Sequence, residues 1–231
     1  MSGAAAAVAV VSGGLDSTVL AYHLRAEGRD LRLLSFDYGQ RHARELEFAG
    51  LLAAGLGARH DIVDLRSAGA LLRGSALTDD VVEVPEGHYT DESMRATVVA
   101  NRNAIFVSLA VGVAVAEGAG AVGLGVHAGD HPIYPDCRPE FVAGAERLAR
   151  VANEGFISED FRLLTPFLYW SKADIVRRGA ELGVPFADTW SCYRGEGRHC
   201  GRCGTCVERR EAFELAGIPD PTDYEPAAGA A

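Results

Sequence analysis

The turn Ser12-Gly13-Gly14, followed by Leu15-Asp16-Ser17-Thr18, gathers hydrogen-bond donors suited to an anion. Without a Cβ at Gly13 or Gly14, successive backbone N–H groups can turn toward one concavity. The hydroxyls of Ser12, Ser17 and Thr18 add donors at its mouth. A helix starting at Asp16-Ser17 would aim its orphan N–H groups and dipole at the same place, which suits a pyrophosphate. The Gly-Lys-Ser/Thr of a Walker loop is absent, and the loop does not follow the dinucleotide G-x-G-x-x-G pattern. A plain strand–turn–helix corner, with Ser12 or Asp16 as N-cap, is the alternative.

Three further groups of residues point to chemistry. Cys192, Cys200, Cys203 and Cys206 are spaced C-x7-C-x2-C-x2-C among glycines. Thiolates this close can wrap one tetrahedral ion, and Zn²⁺ in a closed four-cysteine site is the natural occupant, with an iron–sulfur cluster as rival. His199 and Arg202 read as neighbours of that site rather than ligands, and Cys137 as a packed thiol. His127, Asp130, His131, Asp136 and Arg138 crowd one short run with Tyr134, a density expected of a ligand site. Among 22 basic residues Lys172 is the sole lysine. A compact ammonium there would neutralise phosphate charge, and Asp16 and Arg102 are further candidates for the catalytic or phosphate site.

The elements that must hold these residues alternate. A small apolar strand precedes Ser12, and a helix spans Asp16 to Glu27. A strand at Leu31–Phe36 leads to Tyr38, Gln40 and Arg41, candidate substrate contacts. Glu45 to Leu56 reads as a helix and His60–Asp64 as a strand. Residues 66 to 97 are polar and irregular, the pattern of a flap over the site. An apolar helix follows Val98–Asn103 and runs to Glu117, with Asn101 or Asn103 as possible caps. Strands are expected at Ala121–Val126 and Leu163–Leu168, and helices at Glu140–Asn153 and from Lys172 to Leu182. This alternation predicts a Rossmann-like, doubly wound, mostly parallel α/β sheet over residues 1–188, with a small metal-binding helical region over 189–231. Ligands of such sheets sit beyond the carboxyl ends of the strands, where Ser12 and Asp37 both fall.

Composition narrows the function. A chain of 231 residues allows one large α/β domain with an appendage, and a formal net charge of −10 opposes a phosphate-tracking surface, so nucleic acid is a poor substrate class. The start lacks a basic n-region and no segment is long enough to span a bilayer, which leads us to expect a cytoplasmic protein.

The string Ser12-Gly13-Gly14-Leu15-Asp16-Ser17 resembles the PP-loop of ATP pyrophosphatases, which join AMP to a substrate oxygen and release pyrophosphate. In that resemblance ATP contacts Val11, Ser12, Gly13, Gly14, Leu15, Asp16, Ser17, Thr18, Val19, Leu20 and Ala21, and Asp16 helps hold Mg²⁺. Two longer stretches sharpen it: Gly125 to Phe141 (GVHAGDHPIYPDCRPEF) and Thr189 to Phe213 (TWSCYRGEGRHCGRCGTCVERREAF). Together, over roughly Val8 to Glu225, the chain resembles the 7-cyano-7-deazaguanine synthase family of queuosine biosynthesis. The resemblance implies an adenine-nucleotide-α-hydrolase-like fold and a homodimer acting on small molecules. It implies conversion of 7-carboxy-7-deazaguanine, ammonia and ATP to the nitrile through adenylated acid and amide, with Zn²⁺ on the four cysteines. A paralogue acting on a related deazapurine or stopping at the amide, or a tRNA-modifying relative, is the alternative. Residue 2 is Ser, so no N-terminal cysteine glutaminase is expected and ammonia comes from elsewhere. Leu15 stands where the family often has Gln, and Val99-Ala100-Asn101-Arg102-Asn103 where it often has Val-Pro-x-Arg-Asn.

Overall fold

The computed structural model describes residues 5–226 except 89, 131, 132 and 196. In chain order it runs β1 (Ala6–Val10), α1 (Leu15–Ala26), β2 (Asp30–Asp37), α2 (Glu45–Leu56), β3 (Arg59–Asp64), α3 (Arg66–Gly69) and α4 (Asp91–Arg95). It continues with α5 (Arg102–Glu117), β4 (Ala121–Gly123), α6 (Pro139–Ala152), β5 (Arg162–Leu164), α7 (Lys172–Glu181) and α8 (Gly204–Ala216). The five strands form one parallel sheet in the order β3-β2-β1-β4-β5, as the alternating pattern predicts. The chain reverses its winding direction between β1 and β4, so the crevice beyond their carboxyl ends is the place for a ligand.

Alternation along the strands distributes the core over both faces. Val8 and Val10 of β1, with Leu34 and Phe36 of β2, pack under α5 and α6. Ala7 and Ala9, with Leu31 and Leu33, pack under α1, α2, α7 and the Ala212–Phe213 stretch of α8. A third cluster joins Ala76, Val84 and Trp190 to the four cysteines.

Three elements differ from the sequence expectation. β4 stops at Gly123, although Leu124 still donates to the Leu164 carbonyl, because the chain then bends under α1: a Cβ on Gly125 would stand 3.4 Å from the Asp16 carbonyl. β5 ends at Leu164, since Pro166 has no N–H for a ladder and the chain turns with Leu168 and Trp170 donating back to Thr165 and Phe167. Residues 66–97 hold two short helices and are anchored by buried Ser75, Ala76, Leu77, Val84 and Thr97. Their polar composition conceals these few inward-facing positions.

Candidate functional site

The loop after β1 is shaped by close approach. Gly13 has φ +85°, and a Cβ there would lie 2.2 Å from the Glu45 carbonyl oxygen and 2.5 Å from the Ala49 nitrogen, so the position requires glycine. Hydroxyls stitch the turn: Ser12 N–H donates to Ser17 Oγ (3.1 Å), Gly14 N–H to Ser12 Oγ (3.2 Å), and Ser17 Oγ to the Gly14 carbonyl (3.2 Å). Gly14 is the N-cap of α1 and no side chain caps that helix, so neither Ser12 nor Asp16 takes the capping role. Thr18 Oγ1 and Asp16 Oδ1 are buried and unpartnered among the described residues. Uncapped amides and the orphaned oxygen of Asp16, which lines the cavity, are what a triphosphate with its cation would engage.

Lys172 closes the mouth. A capping box, Ser171 with Asp174, starts α7 and directs the lysine inward. Its Nζ donates to Glu208 and lies 3.4 Å from Asp16 Oδ2. Burial opposes the ammonium, but Asp16, Glu208 and Asp130 outweigh it and raise its pKa. Buried His127 accepts the Gly129 N–H on Nδ1, and its Nε2 lies 3.6 Å from Asp130 and 3.9 Å from Asp16. Burial raises the Asp130 carboxyl, with His127 and Lys172 opposing. Three carboxylates thus face one ammonium, an excess of negative charge suited to a divalent cation.

Beside this mouth the same cavity has an aromatic chamber lined by Phe36, Tyr38, Phe106, Trp190 and Tyr193. Phe36 and Phe106 stack at 4.1 Å and 7°. Arg102 enters from α5 beside Tyr38, Tyr193 and Asp136; burial works against its charge, but those neighbours prevail and raise its pKa. Glu45, buried at the start of α2, has its pKa pushed up to about 8 by burial, while the bond from Gln40 and the charge of Arg102 pull the other way. Burial, aided by Arg102, lowers His42 to about 3, so the imidazole is neutral.

The four cysteine sulfurs are buried and lie within 4.8 Å of one another. A tetrahedral Zn²⁺ with bonds of ~2.3 Å needs sulfurs roughly 3.8 Å apart, so the cluster fits a closed metal site. Cys200 N–H points at Cys192 Sγ (3.4 Å) and Cys203 N–H at Cys200 Sγ (3.3 Å), bonds that favour thiolates. His199 is not a ligand, since its Nε2 accepts the Ser191 N–H at 3.0 Å. Exposed Arg202 pairs with Glu86 and Glu225. Trp190 N–H donates to the Gly13 carbonyl at 2.9 Å, tying this region to the loop after β1.

Of the residues singled out from sequence, the cavity gathers Val11, Ser12, Gly14, Leu15, Asp16, Ser17, Tyr38, Arg102, His127, Asp130 and Lys172. Thr18, Val19, Leu20 and Ala21 are buried in α1 behind it. Gln40 and Arg41 stay outside the lining. Gln40 Oε1 accepts from Tyr38 N–H, and its Nε2 bonds the Phe36 carbonyl and Glu45; Arg41 reaches the carbonyls of Asp79 and Val82. Asp136 is turned to a structural use, accepting the Asn103 N–H at the start of α5, and Arg138 is the N-cap residue of α6. Asn103 is no cap: its amide bonds the Asp136 carbonyl and Cys137 Sγ. Asn101 occupies the N-cap position with φ 60° and makes no capping bond. His131 lies outside the described residues. Sequence reading passed over His42, Glu45, Phe106, Tyr193 and Glu208, although the first two follow Tyr38–Arg41 directly and Glu208 stands inside the last quoted stretch.

Comparisons with known proteins accord with this geometry. The family model described as queuosine biosynthesis protein QueC matches residues 6–217. A protein of Allorhizobium ampelinum named 7-cyano-7-deazaguanine synthase is 59% identical over 216 residues, covering 94% of this chain and 91% of the relative. One of the same name from Paracoccus denitrificans is 57% identical over 220 residues, covering 95% and 93%. Among solved structures, NMN synthetase from Francisella tularensis is similar with a TM-score of 0.52 and 15% identity, over 97% of this chain and 80% of that one, a likeness of fold.

Proposed function

This chain belongs to the QueC family of queuosine biosynthesis proteins, and from that membership we propose that it converts 7-carboxy-7-deazaguanine, ammonia and ATP to 7-cyano-7-deazaguanine. The observation that carries the reading is a single cavity joining an uncapped, hydroxyl-rich loop and a lysine to an aromatic chamber that suits a flat base. A carboxylate resists ammonia until its oxygen becomes a leaving group. Adenylation does this, and the protein's part is to position the groups and stabilise phosphate charge. In this reading the α1 amides and the hydroxyls of Ser12 and Ser17 hold the phosphates. Lys172 neutralises them, Arg102 supplies the positive charge of the aromatic chamber that takes the base, and Asp16, with Asp130 and Glu208 near, holds Mg²⁺.

Zn²⁺ on Cys192, Cys200, Cys203 and Cys206 supplies folding energy, since four protein ligands leave no open position for catalysis. We read the enzyme as a cytoplasmic homodimer without a nucleic-acid partner. Leu148 and Val151, exposed on α6 beside an apolar groove against α5, support the dimer, and no described helix is long and apolar enough to cross a membrane.

Removing both oxygens of a carboxylate takes two leaving groups, so one site acts twice, on the acid and then on the amide. The test is product stoichiometry by mass spectrometry and nucleotide analysis. Two AMP per nitrile are expected from the acid, and one AMP with no ammonia requirement from 7-amido-7-deazaguanine. ADP as the main nucleotide, or an amide that is never consumed, overturns the mechanism.

A further inference from the structure

We propose that Glu45 is the carboxylate that reads the donor edge of the substrate base, its ring N1–H and exocyclic 2-amino group. The inference rests on the functional reading above and narrows it to one recognition contact. In a 7-deazaguanine the reacting carboxyl group hangs on the five-membered ring and must reach the nucleotide phosphates. The six-membered ring then extends away from the phosphates, carrying two adjacent N–H donors on its far edge. Such a pair is met best by one ionised carboxylate accepting both bonds.

Four carboxylates line the cavity: Asp16, Glu45, Asp130 and Glu208. Asp16 and Glu208 contact Lys172, and Asp130 faces His127 beside them, so these three belong to the phosphate end. Glu45 lies in the aromatic chamber among Gln40, His42 and Arg102. Its backbone abuts Gly13, which sets it at the seam between phosphate loop and chamber.

Its orientation is fixed. Glu45 Oε1 accepts from Gln40 Nε2 at 3.1 Å, and Gln40 is clamped by the Tyr38 N–H and the Phe36 carbonyl at 2.9 and 3.1 Å. Gln40 therefore acts as a positioning residue. His42 lies 3.6 Å from the same oxygen but is neutral. Burial keeps this acid protonated near neutral pH in the free chain, and Arg102 together with two donors from a bound base favours the ionised form that accepts both. Adenine fits worse, because its corresponding edge presents one amine beside an acceptor nitrogen.

The experiment compares 7-carboxy-7-deazaguanine with its analogue lacking the 2-amino group, in the wild type and in Glu45→Gln. Wild-type kcat/KM should fall about 100-fold for the analogue, the scale expected when a buried charged acceptor loses its donor. In Glu45→Gln the parent should fall by a similar factor, the two substrates should converge, and the KM for ATP should stay within about twofold. The wild-type comparison needs no variant, so it decides even if Glu45→Gln fails to fold. Equal use of both bases by the wild type overturns the contact while leaving the functional reading intact. So does a variant whose defect lies in the KM for ATP, which would assign Glu45 to the nucleotide. Absence of nitrile from the wild type with the parent acid overturns the functional reading, and this contact with it.

Discussion

Lys172 is held by acids on both sides, Asp16 from α1 and Glu208 from α8, in a space that accepts a compact ammonium. A guanidinium keeps the charge but spreads it over a broad planar fork, and cannot take both contacts and a phosphate from one point. Lys172→Arg should therefore slow turnover at least tenfold, or ~1.4 kcal/mol of barrier, with little change in melting temperature. Near-normal kcat would show that the position needs only a positive charge. Glu45 makes a prediction through pH. Its native pKa is about 8 against an ordinary 4.5, so between those values the folded chain holds a proton that the unfolded chain releases, and stability falls as pH rises through that window. His42, lowered to about 3, acts oppositely, but only up to its unfolded value of 6.5. From pH 6.5 to 8 the Glu45 contribution is therefore unopposed within this pair, with a slope of at most ~1.4 kcal/mol per pH unit. Calorimetry of the free enzyme should show the melting temperature dropping over that range, and Glu45→Gln should flatten the drop. Parallel curves for the two proteins would refute the assignment.

At the level of elements, the cysteine loop takes its shape from its sulfurs more than from regular secondary structure. The four cysteines hold a third core cluster together with Ala76, Val84 and Trp190, and Glu86 bridges to Cys203 from the 66–97 segment. Cys203→Ser should lower the melting temperature by several degrees and reduce bound metal, because the binding energy of such a site is folding energy. Full metal content and unchanged melting would remove the structural role. The sheet, its parallel sense, the loop after β1 and the cysteine cluster were legible because each rests on local chemistry: apolar runs between turns, two glycines, four close thiols. The ends of β4 and β5 were harder to read, since Gly125 stops pairing only because α1 passes over it. The 66–97 segment read as a polar flap because its composition outweighs a few inward residues such as Leu77 and Thr97. Asp136, Gln40 and Arg41 carried the residue types of a substrate site, and only tertiary placement shows them occupied with backbone groups. Glu45 was hidden for the opposite reason, since an acid in the first turn of a helix reads as ordinary dipole compensation.

Across the whole molecule, the cysteine centre touches the proposed phosphate mouth at two points. Trp190, two residues before Cys192, donates to the Gly13 carbonyl, and Glu208, two residues after Cys206, accepts from Lys172. Helix α8 carries Cys206 and Glu208 together and buries Ala212 and Phe213 against the α1–α7 side of the sheet. Loss of the metal should thus displace Glu208 and Trp190 while the parallel sheet, whose cores lie elsewhere, persists. We expect chelation to reduce kcat by tenfold or more, ~1.4 kcal/mol of barrier, at a stage when far-UV circular dichroism still reports the native sheet and helices. Colorimetric metal release, activity and dichroism followed on one sample test this. Glu208→Gln supplies the second arm, because it should retain full metal and native dichroism and yet show a comparable loss of kcat. A metal-free, folded enzyme working within about twofold of the metal-bound form would show that the centre holds its own loop and nothing beyond it. Turnover lost only when the dichroism is lost would reduce its effect on the active site to global stability.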